Sequence, residues 1–345
     1  MAANDSVKSF DSYYQNDSGI SLENVVPIVI PIVYAFIVFI GISGNTLVII
    51  VVTLNHQMRN STNALIVNLA AADLLFLTFC VPFTAADFLQ PDYPYPNWWC
   101  SCLYYLQFVT AYASVWTLVL MSLDRFLAVV FPVQSLTLRT SKNSILASSI
   151  VWTLILVFNV NQLWKHGVYD VEESLGEKRH ICGYVAMTNA TGTEYDIRLH
   201  FFTYAVLGYL IPLTVTCCLY CVMLHKLWFR MPGAGARRHR QQTMMLKSAS
   251  SGESLRAKRK VTWMISGVIV CFAICWLPLN GCFVYTALTY RPRIGPPYSK
   301  AFFIVMVCSQ SFAYTNSCLN PILYAFLSGK PVNLMFQEQK KCLNP

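Results

Sequence analysis

The chain has 345 residues, of which 55% are hydrophobic and only 12% charged, with a formal net charge of +9. A charged share about half that of soluble domains, with a mean hydropathy of +0.47, excludes an ordinary water-soluble globule and points to a bilayer.

Seven apolar runs reach the roughly 17–25 residues that cross a membrane, near 26–54, 63–87, 99–130, 143–165, 199–228, 261–288 and 301–327. Lipid satisfies no backbone polar group, so such runs are helical. The expected fold is an all-α bundle of seven transmembrane helices over 25–328, with an N-terminal tail 1–24 and a short helix and tail 329–345. The first run, starting near Val25, is too long for a signal-peptide core and is expected to serve as its own insertion signal. Between runs five and six lie Lys226, Arg230, Arg237, Arg238, Arg240, Lys247, Arg256, Lys258, Arg259 and Lys260, against Glu253 alone. The N-terminal tail carries Asp5, Asp11, Asp17 and Glu23 against Lys8, which puts the N-terminus outside and the C-terminus inside. The positive charge is thus a cytoplasmic layer, and nucleic acid is not an expected partner. Sequons at Asn4, Asn16 and Asn189 then fall outside; a fourth, at Asn60, falls in an inner loop and is read as chance.

In chain order, the first run holds "GISGNTLVI" around Asn45, and the second holds "NLAAAD" with Asp73, an intramembrane carboxylate that demands a function and partners. The third begins at Cys100 and ends in "SLDRFLAVVFP", containing Asp124, Arg125 and Phe126. An arginine snorkelling at a helix end beside an acid is the plain alternative for that pair. Trp152 marks the fourth run, and Cys182 lies in the outer loop after it. In an oxidising compartment Cys182 can pin that loop to the third run through Cys100, with Cys102 as a competitor. Pro212 and Tyr220 mark the fifth. The sixth carries "FAICWLP", Phe272 to Pro278, where proline forces a kink beside Trp276. The seventh carries "NSCLNPILY", ending at Tyr324, with Asn316 and Asn320 on one face. After it, Val332, Met335, Phe336 and Gln339 recur at helical spacing, suiting a helix on the membrane surface with Cys342 as a palmitoylation site; a frayed tail is the alternative.

Three kinds of seven-helix protein compete. A retinal pigment is excluded because no lysine lies between Lys300 and Lys330. A transporter or channel would show related halves with interrupted helices, and no internal repeat is visible. No Ser-His-Asp, metal-ligand or P-loop spacing supports an enzyme. A ligand-sensing receptor is left.

Taken together, Asn45, Asp73, Asp124-Arg125-Phe126, Trp152, Pro212, Trp276 with Pro278, and Asn320-Pro321 with Tyr324 resemble the rhodopsin-like G-protein-coupled receptors over about residues 25–340. "YASVWTLVLMSLDRFLAVVFPV", "IVCFAICWLPLN" and "AYTNSCLNPILYAFLS" look most like the allatostatin-A receptors, with galanin and kisspeptin receptors as relatives and somatostatin and opioid receptors further off. The resemblance implies a plasma-membrane receptor for a short amidated neuropeptide, coupled to a heterotrimeric G protein of inhibitory type and served by arrestin and receptor kinases. It implies the Cys100–Cys182 disulfide. It makes Arg125, restrained by Asp124, the contact for the G protein; the foot of the sixth run, Ala257-Lys258-Arg259-Lys260, offers no acid as a second restraint. Phe272, Trp276, Val115 and Pro212 would repack on ligand binding, turning Tyr220 and Tyr324 towards Arg125. Gln107, where amine receptors carry an aspartate, joins Phe108, Tyr204, Asn280, Phe283, Gln310 and Tyr314 as the expected peptide cavity. Asp87, Asp92, Asp170, Glu172, Glu173 and Glu177 form an acidic rim that would steer a cationic peptide, or simply a solvated surface. Asn45, Ser114, Trp276, Asn316, Ser317 and Asn320 are expected to converge on Asp73 around an allosteric sodium ion, a protonated Asp73 in a structural network being the alternative. No other cofactor is expected.

Overall fold

The computed structural model describes residues 22–55, 58, 60–90, 92–172, 178–185, 194–229, 245–290 and 300–328. Asn4, Asn16, Asn189, Glu173, Glu177, Cys342 and the segment 329–345 lie outside them. Seven spans among the described residues are long and apolar enough to cross a membrane: Val25–Leu54, Ser61–Leu89, Asn97–Val130, Ser141–Lys165, Asp196–Lys226, Ile265–Thr289 and Ala301–Tyr324. Their outer surface is oily: Phe36, Phe39, Leu154, Trp164 and Ile274 are exposed. That pattern is stable only where lipid meets it.

Span three is the axis of the bundle. Its helix, Asn97–Val130, has 34 residues, about 50 Å at 1.5 Å per residue, so it must lie tilted in a hydrocarbon layer about 30 Å thick. Three apolar clusters stack along it. The first joins Tyr34, Phe76, Leu77, Leu103 and Tyr314; the second, Val109, Tyr112, Ala113 and Ile155; the third, Leu65, Leu69, Leu118, Met121, Ile265 and Phe272.

Proline sets the irregularities. Span two is two helices, Ser61–Phe79 and Val81–Leu89, with Pro82 in the first turn of the second. Span five contains a π-helical turn, Val206–Leu210, directly before Pro212. Pro212 has no N–H for the carbonyl one turn back and its ring crowds that carbonyl, so the helix widens there. Asn60 does not idle in its loop: its side chain accepts from Asn63 N at 2.9 Å and caps span two. Thr140 caps span four through Asn143 N at 3.2 Å.

The segment after span four, expected only as a loop, is a hairpin: β1 (His166–Glu172) pairs antiparallel with β2 (Lys178–Tyr184), Val168 opposite Cys182. The Cys100–Cys182 disulfide, with Cα atoms 5.8 Å apart, ties it to span three, and Cys102 is free. Four further hydrogen bonds hold it: Val168 N donates to Asn97 Oδ1 at 2.7 Å, Ser101 Oγ to His166 O at 2.7 Å, His180 N to Asp92 Oδ1 at 3.0 Å, and Tyr93 N to His180 O at 3.0 Å. The bundle thus has a hairpin end and, opposite, an Arg125 end.

Candidate functional site

Three groups of side chains lie along the bundle axis. Midway, Asp73 is wholly buried. Ser114 Oγ and Ser317 Oγ donate to its Oδ1 at 3.1 and 3.0 Å, and Asn320 Nδ2 donates to Oδ2 at 2.7 Å. Asn45 Nδ2 donates to the carbonyls of Gly41 and Ser317, each at 2.9 Å, so it reaches Asp73 only through Ser317. Trp276 and Asn316 make no hydrogen bond to Asp73; Trp276 Nε1 and Asn316 Oδ1 are buried without a partner. The side-chain oxygens of Asn45 and Asn320 are likewise buried and unpartnered. A buried carboxylate ringed by neutral hydroxyl and amide groups, with amide oxygens still unfilled, is a donor set that fits a hard cation such as Na⁺. Among the described residues no cluster of three His, Cys, Asp or Glu suits a transition metal.

At the Arg125 end, Asp124 is the hub. Arg125 Nη2 donates to its Oδ2 at 2.6 Å. Arg139, in the segment after span three, grips both oxygens, Nε to Oδ1 at 2.9 Å and Nη2 to Oδ2 at 3.1 Å. Ser61 Oγ and Thr62 Oγ1 of span two add donors at 2.6 and 2.8 Å, and Ser144 of span four meets Ser61 at 2.7 Å. Asp124 and Arg125 are both buried, so their charges depend on these contacts. Tyr220 and Tyr324 pack on the third apolar cluster, and the hydroxyl of Tyr324 has no hydrogen-bond partner. Pro321 lies inside the continuous span-seven helix, Lys300–Ser328, next to Asn320.

At the hairpin end, Phe108, Tyr204 and Phe283 form one chain of rings with centroids 5.0 and 5.1 Å apart. His166, Tyr184 and His200 close it above: His200 stacks on Tyr184 at 4.4 Å and lies 5.5 Å from Phe108. Burial holds His166 neutral, its imidazole pushed down to about 4, with Nδ1 facing the Gln162 carbonyl at 3.3 Å. Below Tyr204 a cavity of about 10 Å³, room for one water, is lined by Ala111, Tyr112, Gly208, Phe272 and Trp276. The remaining cavity candidates make polar contacts of their own. Gln107 Nε2 donates to Thr84 Oγ1 at 3.1 Å, and Gln310 Nε2 donates to the hydroxyl of Tyr314 at 2.6 Å. Tyr314 itself packs against Tyr34 and Phe76 at 5.1 and 4.9 Å, and Asn280 is turned back onto the Trp276 carbonyl at 2.8 Å.

Three acids of the predicted rim, Asp87, Asp92 and Asp170, are engaged by the hairpin. Asp170 pairs with His180 at 2.8 Å, Asp92 accepts from His180 N, and Asp87 feels the charge of Arg179. Sequence reasoning missed Arg139, Ser61, Thr62, His166 and His200. The alternation in "YDVE", Tyr169–Glu172, was the one signal for the hairpin that sets His166 beside His200; "KRHICGY" does not alternate.

A family model described as "7 transmembrane receptor (rhodopsin family)" matches residues 44–324. The chain belongs to the rhodopsin family of seven-transmembrane receptors. As a receptor of this family it is a multi-pass protein of the plasma membrane and not an enzyme. It is 44% identical over 322 residues to the galanin-like G-protein coupled receptor npr-9 of Caenorhabditis elegans, covering 90% of this chain and 73% of that one. It is 41% identical to the allatostatin-A receptor of Bombyx mori, covering 95% and 84%. The mouse galanin receptor type 2 is 33% identical, covering 95% and 80%.

Proposed function

We propose that this receptor binds a short, C-terminally amidated neuropeptide of the allatostatin-A kind at its hairpin end and activates an inhibitory-type heterotrimeric G protein at its Arg125 end. The observation that carries the ligand class is the ring chain of Phe108, Tyr204 and Phe283, closed by neutral His166 and the stacked His200–Tyr184 pair. Such a wall takes apolar and aromatic side chains and an uncharged amide cap in preference to a protonated amine, which Gln107 offers no counter-ion. Of the relatives above, the allatostatin-A receptor of Bombyx mori, 41% identical, is named for a ligand of this class.

The positive-inside distribution of Lys and Arg supports the hairpin end facing outward, which leaves the Asp124–Arg125 pair facing the G protein. Ligand binding would draw Tyr204 and Trp276 together over the small cavity and swing span six at Pro278, releasing Arg125. In this reading Asp73, Ser114, Asn316 and Asn320 hold Na⁺ in the resting state, where it supplies a positive charge beside the buried carboxylate. Arrestin and receptor kinases would act through the hydroxyls of Thr243, Ser248, Ser250, Ser251 and Ser254 between spans five and six. The similarity to galanin receptors, 33% identical in the mouse protein, favours a galanin-type ligand as the second reading; kisspeptin- and somatostatin-type peptides complete the panel.

The test is a G-protein activation reporter in cells expressing the receptor, challenged with amidated neuropeptides. A response to peptides ending in Phe-Gly-Leu-amide is expected, without flux of any peptide or ion across the membrane. Silence with these peptides and a response to galanin would replace the ligand assignment.

A further inference from the structure

The resting position of Arg125 needs more than Asp124. Among the described residues its ion pairing is with Asp124 alone, and the foot of span six is basic throughout 258–260. The sequence offers Arg125 no acid at 257–260, the foot of span six. A different tie is present, from span five.

Lys226, the last residue of span five, donates from Nζ to the backbone carbonyl of Val130 at 3.0 Å. Val130 ends the span-three helix, and its carbonyl is one of the four that no helical N–H can reach. A cation there also sits at the negative end of the helix dipole. The same ammonium lies over the ring of Phe131 at 5.2 Å, and Phe131 packs edge-on against Phe126 at 6.0 Å. Phe126 follows Arg125 in the chain. A chain of contacts thus runs from the end of span five, through Lys226 and Phe131, to the residue beside Arg125. A phenyl at Phe126 suits that role, since the contact is ring on ring and uses no hydroxyl.

We propose that Lys226 is a positioning residue that clasps the inner end of span five to the last turn of span three and so holds the receptor at rest. The clasp acts from span five, where the basic foot of span six offers Arg125 no counter-charge, and it rests on the receptor reading given above. Any activating motion that carries span five away from span three must break the Lys226–Val130 hydrogen bond and lift the ammonium from Phe131. A charge-assisted hydrogen bond on a helix terminus is strong enough to bias a two-state equilibrium severalfold.

The test uses the full receptor in nanodiscs with purified heterotrimeric G protein. Lys226→Met, which keeps the length but no donor or charge, is expected to raise ligand-free nucleotide exchange on the order of five-fold. Lys226→Arg should restore the parent rate. Phe131→Leu, which leaves Val130 in place, should give an intermediate rise. Spin labels carried on unnatural amino acids at Val133 and Leu224 read the span-three to span-five separation without any G protein; Lys226→Met should lengthen or broaden it. Unchanged or lower ligand-free exchange in folded Lys226→Met, or an equal rise in Lys226→Arg, overturns the proposal. Absence of exchange by parent and variants alike would fault the G-protein reading, and an unchanged spin-label distance in Lys226→Met would then still overturn the clasp.

Discussion

Two charged or chargeable side chains define the ends of this receptor, and each is governed by contacts far away in sequence. A carboxylate offers about four lone-pair positions. Asp124 fills them with donors from Arg125, Arg139, Ser61 and Thr62. Arg139 lies 15 residues on and Ser61 lies 63 residues back, so no local pattern announces either; only the return of the chain after span three brings Arg139 under the Asp. Asp124 and Arg125 themselves were legible because they are adjacent. His166 is the counterpart at the hairpin end. Its imidazole falls from 6.5 to about 4 because burial disfavours the cation. The folded receptor therefore binds fewer protons than the unfolded chain between those values, and stability falls as pH drops from 6.5 towards 4. At about 1.4 kcal/mol per pH unit the full loss is about 3 kcal/mol. Thermal denaturation in detergent across that range should show it, and His166→Phe should lessen the slope without abolishing it, since the buried His200 lies 5.5 Å away. An unaltered slope in that variant would mean that His166 is not the group responsible.

Helix packing was legible in outline, less so in detail. Length and hydropathy marked all seven spans, and prolines marked their bends. The widened turn at Val206–Leu210 needed the observation that Pro212 cannot bond to the carbonyl behind it. Close approach is what the glycines encode, and here the structure separates cases that look alike in sequence. A Cβ on Gly44 would stand 2.9 Å from Cβ and 3.0 Å from Cγ of Pro321, a rigid ring in span seven. One on Gly41 would meet a terminal methyl of Leu77 at 2.5 Å. That methyl can rotate aside and the proline ring cannot, so Gly44→Ala should be the costlier change, by about 1–3 kcal/mol of overpacking. Gly281 has nothing within 4 Å of its added Cβ, so Gly281→Ala should be neutral or gain up to about 1 kcal/mol from helix propensity. Melting temperatures of the three variants check the order. Equal losses at Gly44 and Gly281 would refute the contact argument.

At the scale of the whole receptor, the question is how a peptide at the hairpin end changes Arg125. Gln107 and Arg125 are 18 positions apart on one helix, about 27 Å along its axis. Asp73 lies between those levels and is bonded to spans three and seven at once. Any ion held there favours the arrangement in which Ser114, Ser317 and Asn320 stay gathered. If agonist favours an arrangement that spreads them, the two ligands oppose each other, and the opposition is reciprocal by linkage. Exchanging choline for sodium at constant ionic strength should therefore weaken agonist binding severalfold in the parent receptor and leave Asp73→Asn unaffected. Without agonist, the same exchange should raise the parent melting temperature by mass action and not that of the variant. Retention of both sodium effects in Asp73→Asn would remove the ion from Asp73. Loss of the binding effect with retention of the thermal shift would place sodium elsewhere in the bundle. Only loss of both, with agonist still bound by the variant, ties the carboxylate to the coupling between the two ends.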